Sequence, residues 1–327
     1  MASETSDKLV TVIGGSGFVG RYVVRALAKR GYRVRVACRR PDLAGHTQPA
    51  GVVGQVMPVQ ANVRYPASLA AACAGATAVI NLTGVLHSAG AQSFDAVHVF
   101  GAEASAKAAR GAGARVYIQM SAIGAAAGAA SAYAKSKAEG EARAKANFPG
   151  AIITRASVIF GLEDEFFNRF AGLARISPVL PLIGGGETKF QPVFVGDVAE
   201  AIARLVDTGL AAGRVYEFGG PEVFSFKELM EFTLATIGRR RLLVPVPWAI
   251  AHVQAMILGL LPNPPLTTDQ VALLKSDTVV SPQAKAERRT LEGFGIAPDG
   301  IEAVVPGYLY RYRKAGQFTA VSGTTPE

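Results

Sequence analysis

Short apolar runs alternate with longer stretches of helical periodicity through the first half of the chain. Residues 9–13 form an apolar run that ends in glycines, and residues 18–29 repeat apolar positions at helical spacing, with Gly31 as the stop signal just beyond. Residues 33–38 alternate Arg and Val, the period of a strand. Runs at 56–60, 78–82, 116–120 and 152–160 predict further strands, and an Ala-rich stretch at 96–109, closed by Gly111 and Gly113, predicts a helix. Strands alternating with helices predict an α/β fold: a Rossmann, doubly wound parallel sheet with helices on both faces.

The texture changes after Gly161, where Pro and aromatic residues increase and the alternation is lost. A helix is expected at 197–207, a strand returning to the sheet at 215–218 and a further helix at 226–237. The Rossmann domain is therefore expected over 1–161 and about 190–220. A smaller C-terminal α/β substrate or interaction domain is expected over 162–189 and 221–315, with 316–327 a flexible tail.

Half of the 327 residues are hydrophobic and 18% are charged, enough apolar surface for a substantial core. The net charge of +9 suits an anionic cofactor, an anionic membrane face or nucleic acid. Lys and Arg are spread along the chain, without a zinc-finger or RNA-recognition motif, so no nucleic-acid partner is expected. Cys38 and Cys73 form no metal-ligand spacing or disulfide framework, so no metal is expected and a reducing cytoplasm is. The first residues resemble neither a secretory signal nor an Arg-rich transit peptide. His46, His87, His98 and His252 are scattered and read as loop or packed residues.

The candidate chemistry begins at Gly14, Gly17 and Gly20, between the first strand and the first helix. Gly14 permits the sharp turn, Gly17 lets the backbone approach a pyrophosphate, and Gly20 allows close helix packing. The helix opened by Phe18 and Val19 offers free N–H groups and a partial positive charge to the phosphates. At the end of the second strand, where NAD-binding folds often carry an acid for the ribose hydroxyls, stand Cys38, Arg39 and Arg40, with no acid before Asp42. An Arg pair suits a 2′-phosphate, so NADP(H) is the expected cofactor, with NAD(H) the alternative. Leu82, Thr83 and Gly84 end the fourth strand, where loops line the cofactor cleft of such sheets.

Tyr133 and Lys137 stand four apart, on one face of a helix. A nearby ammonium stabilises phenolate, so Lys137 is expected to lower the Tyr133 pKa toward general acid/base use and to bond the nicotinamide ribose. Ser121, at the end of the fifth strand, is placed to polarise a carbonyl or alcohol.

These segments resemble the extended short-chain dehydrogenase/reductase superfamily. Within it the chain is similar to the atypical branch that contains the nucleotide-binding accessory subunit of respiratory complex I and its bacterial relatives. Residues 191–199, 218–221, 266–270, 273–277 and 308–313 carry that likeness, which covers about residues 9–318. The resemblance implies a Rossmann core and NADP(H), held structurally in the complex I subunit. It implies pyrophosphate contact at Gly14, Gly17 and Gly20, phosphate selection at Arg39 and Arg40, and active-site positions at Ser121, Tyr133 and Lys137. Two departures weaken the substrate side: Ala156 follows Arg155 where active members carry Arg-Pro, and Asn62, next to Val63, replaces an Asp that commonly contacts adenine.

Residues 242–268 carry no charge, and an apolar stretch, 248–261, is bracketed by prolines. As a helix it is about 21 Å long, short of a bilayer core of about 30 Å. Either it is a core helix of the smaller domain, or it docks on a membrane-bound partner with Arg239, Arg240 and Arg241 at anionic headgroups. Two functions stay open. One is an accessory or assembly component of complex I, cytoplasmic and peripheral on the cytoplasmic face of the inner membrane. The other is an NADP-dependent oxidoreductase or epimerase with a small-molecule substrate such as a quinone precursor, a sterol-like compound or a nucleotide sugar.

Overall fold

The computed structural model describes residues 8–208, 212–259, 261 and 264–318. The chain divides into two compact units. The first takes in the residues up to Ala156, Val195–Phe218 and Val280–Ala297; the second takes in Ser157–Phe194, Gly219–Val279 and the residues from Pro298 on.

The first unit holds a seven-stranded parallel sheet of β1 (Leu9–Ile13), β2 (Arg33–Cys38), β3 (Val56–Gln60), β4 (Ala78–Asn81), β5 (Val116–Ala122), β6 (Ile152–Ala156) and β7 (Val215–Phe218). Its order is β7-β6-β5-β4-β1-β2-β3. Strand order reverses between β1 and β4, so the crevice at their carboxyl ends is where this architecture takes a ligand. The central strands are buried on both faces, as their near-continuous apolar runs require: Val10, Val12, Val79, Ile80 and Ile118 have no exposed surface.

The helices are α1 (Phe18–Lys29), α2 (Pro66–Cys73), α3 (Phe100–Gly111), α4 (Ala132–Asn147) and α5 (Val195–Thr208). In α1 the apolar stripe buries Val23, Val24 and Leu27, and Gly31 leaves the helix with a φ of 80°. Both sheet edges are protected. Pro58 interrupts the donor row of β3. The Val280–Ala297 segment covers β7, where the Glu217 N–H donates to the Arg289 carbonyl at 2.9 Å.

Several expectations change. The strand expected at 152–160 is two strands. β6 ends at Ala156, and Ile159–Phe160 belongs to the second unit, paired with Val193–Phe194. Ser157 breaks the run by turning its hydroxyl to the Thr278 carbonyl at 2.6 Å. Residues 280–297 join the first unit rather than the smaller domain, because they complete the sheet edge. The helix expected at 96–109 opens with a π-helical turn, Asp95–Val99, before α3. The expected tail, 316–327, falls mostly outside the described residues; Gly316–Phe318 is a single tight turn.

The second unit packs Phe160, Phe167, Phe190, Phe226 and Leu229 between helices Phe167–Ile176 and Phe226–Thr236, the latter started by a Ser225–Glu228 capping box. A parallel pair, Val179–Ile183 with Leu242–Val246, adjoins them. The apolar stretch forms the helix Trp248–Leu258, which buries only Ala251 and Ala255; Leu260, Pro262 and Asn263 lie outside the described residues. Ile250, Val253, Met256 and Ile257 are more than half exposed, so it is not a core helix. Among the described residues no helix is long and apolar enough to cross a membrane.

Candidate cofactor and active site

The first turn of the site is the link from β1 to α1. Gly14 has a φ of 80°, and its N–H donates to the Ala37 carbonyl at 2.8 Å, tying the loop to β2. Gly17 caps α1 with no side chain, and a Cβ there would meet only the Gly14 oxygen, at 3.3 Å. The helix start therefore lies open to a ligand, with no acidic side chain in its first turn. Gly20 is the crowded glycine of the three. A Cβ on it would lie 2.4 Å from the Gly14 oxygen and 2.6 Å from Gly15, so what it admits most closely is the loop's own backbone.

The loop after β4 lies beside this turn. The Leu82 N–H donates to the Ile13 carbonyl at 2.9 Å, and a Cβ on Gly14 would sit 3.3 Å from the Thr83 methyl. Asn81 shapes the loop by accepting from both the Thr83 N–H, at 3.1 Å, and its hydroxyl, at 2.6 Å. Past β3, Asn62 accepts from the Arg64 N–H at 3.1 Å, and Val63 is buried. Asn62 can still donate through its amide, where an Asp would be a pure acceptor.

Arg39 and Arg40 are both exposed at the tip of β2 but are not equivalent. Arg40 is paired with Asp42 at 2.7 Å, which holds that carboxyl below the usual carboxylate range. Arg39 has no ion-pair partner among the described residues. His46 also reaches the glycine loop, with its Nε2 3.2 Å from the Ser16 carbonyl and Nδ1 3.1 Å from that of Leu43. No sequence signal marked it.

On α4, started by the Ser131 hydroxyl accepting from Ala134, Tyr133 and Lys137 share one face, with the ammonium 5.8 Å from the phenol ring centre. Burial dominates both groups. It pushes the Tyr133 hydroxyl up to about 12 and brings the Lys137 ammonium down to about 8. The net direction for Tyr133 is thus upward, set by burial, where Lys137 was expected to bring it down. Lys137 is buried without an ion pair among the described residues, and it faces Gly84: a Cβ there would lie 3.2 Å from Nζ.

Ser121 has partners that its place in the sequence did not announce. Its hydroxyl donates to the buried Glu141 at 2.5 Å, while Arg155 donates to the same carboxylate at 2.9 and 2.7 Å. Its proton therefore goes to Glu141 in this arrangement. Glu141 follows Lys137 by four residues, so the Tyr133–Lys137 spacing, continued one turn, marks it. His98 carries no such signal. It lies in the π-helical turn and packs against Phe94 and Tyr133, with ring centres 5.5 and 5.4 Å away.

An uncapped glycine turn, a bare cation at the β2 tip and a buried lysine facing a glycine together fit a dinucleotide of the NAD(P)(H) type. Among the described residues no cluster of His, Cys, Asp or Glu has a metal-binding arrangement.

Known proteins are similar to this chain in sequence and in fold. The chain is 36% identical over 326 residues to mitochondrial NADH dehydrogenase (ubiquinone) 1 alpha subcomplex subunit 9 of Arabidopsis thaliana, covering 96% of this chain and 80% of that one. It is 35% identical over 198 residues to a ceramide reductase of Caulobacter vibrioides, covering 61% of this chain and 60% of that one. The fold matches the NADPH-dependent quinone oxidoreductase QOR2 of Escherichia coli, complexed with NADPH, with a TM-score of 0.72 at 18% identity over 92% of this chain and 99% of that one. The NAD dependent epimerase/dehydratase family model matches residues 10–219, and the chain belongs to that family.

Proposed function

We propose that this chain is an accessory or assembly component of respiratory complex I that holds NADP(H) in its first unit and lies on the cytoplasmic face of the inner membrane. The observation that carries this reading is the likeness to a complex I subunit along 96% of the chain, both units included. In this reading Gly14, Gly17 and Gly20, with the N–H groups of Phe18 and Val19, receive the pyrophosphate. Arg39 meets the 2′-phosphate, with Arg40 behind it on Asp42. Asn62 and Val63 border the adenine, Leu82, Thr83 and Gly84 the ribose beside it, and Tyr133 and Lys137 the nicotinamide ribose. The exposed apolar helix Trp248–Leu258, preceded by Arg239, Arg240 and Arg241, supports a peripheral membrane position.

The test is capture of the tagged chain from gently solubilised membranes, with mass spectrometry of what co-purifies. Complex I subunits are the expected catch, and their absence sinks the reading. Replacing Ile250 and Ile257 with Ser should move the chain from the membrane to the soluble fraction; an unchanged distribution sinks the membrane part alone.

A second reading is a working NADP(H)-dependent reductase of a lipid of the ceramide kind. It is favoured by the intact Tyr133–Lys137 pair and by the likeness to a ceramide reductase over 198 residues. NADP(H), when bound, supplies the hydride, and Tyr133 holds the proton that a reduced carbonyl takes up.

A further inference from the structure

His98 is almost completely buried, 2% exposed, yet it is polar on both sides. Its Nε2 lies 3.0 Å from the Val85 N–H, which can only donate. Nε2 is therefore the acceptor and the proton sits on Nδ1, 2.9 Å from the Ser136 hydroxyl. Ser136 passes its own proton to the Tyr133 carbonyl at 2.7 Å. Burial, and then the Lys137 ammonium, hold the imidazole down to about 3, so it stays neutral and this tautomer persists.

The ring thus ties three pieces of the first unit together: the loop after β4, the π-helical turn before α3, and α4. The backbone is shaped to allow it. A Cβ on Gly140 would lie 2.3 Å from the His98 carbonyl oxygen, and one on Gly84 would lie 3.6 Å from Nε2 as well as 3.2 Å from Lys137 Nζ. A π-helical turn at this point presents His98 between the two partners, a use such turns often serve at functional sites. Packing alone would be met by Phe, whose ring has the same reach toward Phe94 and Tyr133. The two directed hydrogen bonds are what a hydrocarbon ring cannot supply.

We propose that His98 is a positioning residue that fixes Lys137 over Gly84 and so sets the hold on the nicotinamide-side ribose. The inference rests on the reading of the cleft as a dinucleotide site. Its test is a double-mutant cycle on the full chain, with NADPH affinity read by fluorescence titration. His98→Phe should weaken NADPH about tenfold, the weight of one hydrogen bond to a charged group. In a Lys137→Met background the same change should cost less than about twofold, because the group it positions is gone. Ser136→Ala, which removes the Nδ1 partner together with its bond to the Tyr133 carbonyl, should show the same dependence on Lys137 at smaller amplitude and serves if His98→Phe does not fold. Equal losses with and without Lys137, or no loss at all, overturn the proposal while leaving the cofactor site standing. An unmodified chain that fails to bind NADPH overturns the cofactor reading and this inference with it.

Discussion

Ser121 donates its hydroxyl proton to Glu141 at 2.5 Å, and the same carboxylate grips Arg155, the register partner of Ser121 on the neighbouring strand. The residue expected to polarise a carbonyl is one corner of a part-buried ionic cluster. Ser121→Ala should therefore cost stability, about 1–3 kcal/mol for one bond to a charged acceptor, and leave NADPH affinity within twofold. Arg155→Leu strands the Glu141 anion and should cost more, about 3 kcal/mol. Urea denaturation measures both. A large loss of cofactor affinity in Ser121→Ala would return the hydroxyl to the cleft.

Gly17 and Gly20 separate ligand contact from folding. A Cβ at Gly17 meets a single atom at 3.3 Å, whereas one at Gly20 drives into the loop backbone. Gly17→Val should fold and lose the rise in melting temperature that saturating NADPH gives the parent. Gly20→Ala should lower the melting temperature without any ligand. An NADPH-induced shift that persists in Gly17→Val would move the pyrophosphate site elsewhere.

How much of this was legible in the residues follows from distance along the chain. The β1–α1 turn and the bounds of β1, α1, β2 and β3 rest on local periodicity and glycine chemistry, and they are found where the pattern puts them. The fate of Ser121 was not local: Glu141 and Arg155 come from another helix and another strand, 20 and 34 residues on. His98 reads as a packed residue because its partners are a backbone N–H and a serine 38 positions away. The helix Trp248–Leu258 is apolar nearly all round, with His252 and Gln254 its strongly polar side chains, so periodicity says little of how widely its apolar face is exposed.

Arg39 and Arg40 should differ as cofactor selectors, because Asp42 already engages Arg40. Arg39→Ala should remove most of a preference for NADPH over NADH, a loss of about tenfold or more in NADPH affinity. Arg40→Ala should matter less. Fluorescence titrations with both nucleotides decide it. Equal affinities in the unmodified chain would contradict NADP(H) selection, and a larger effect at Arg40 would reverse the assignment.

The buried neutral His98 predicts an acid limit to stability. Its folded pKa, about 3, lies below the ordinary 6.5, so the unfolded chain binds a proton there that the folded chain refuses. The stability it contributes is fully present above pH 6.5 and is lost as pH falls toward 3, at about 1.4 kcal/mol per pH unit. The difference between parent and His98→Phe in urea should shift in favour of the variant by about 2 kcal/mol between pH 7 and pH 5. Parallel curves across that range would mean that His98 protonates in place.

If this chain holds NADP(H) for complex I rather than turning over a substrate, Tyr133→Phe will leave its role intact. The change removes one hydroxyl and leaves the ring between Phe94 and His98 and the whole glycine turn in place. The variant, expressed in place of the parent and captured from solubilised membranes, should carry NADPH and bring down the same complex I subunits in the same amounts. A variant that stays folded and cofactor-bound, yet impairs growth or product formation as severely as loss of the whole chain, would contradict the claim and establish the reductase.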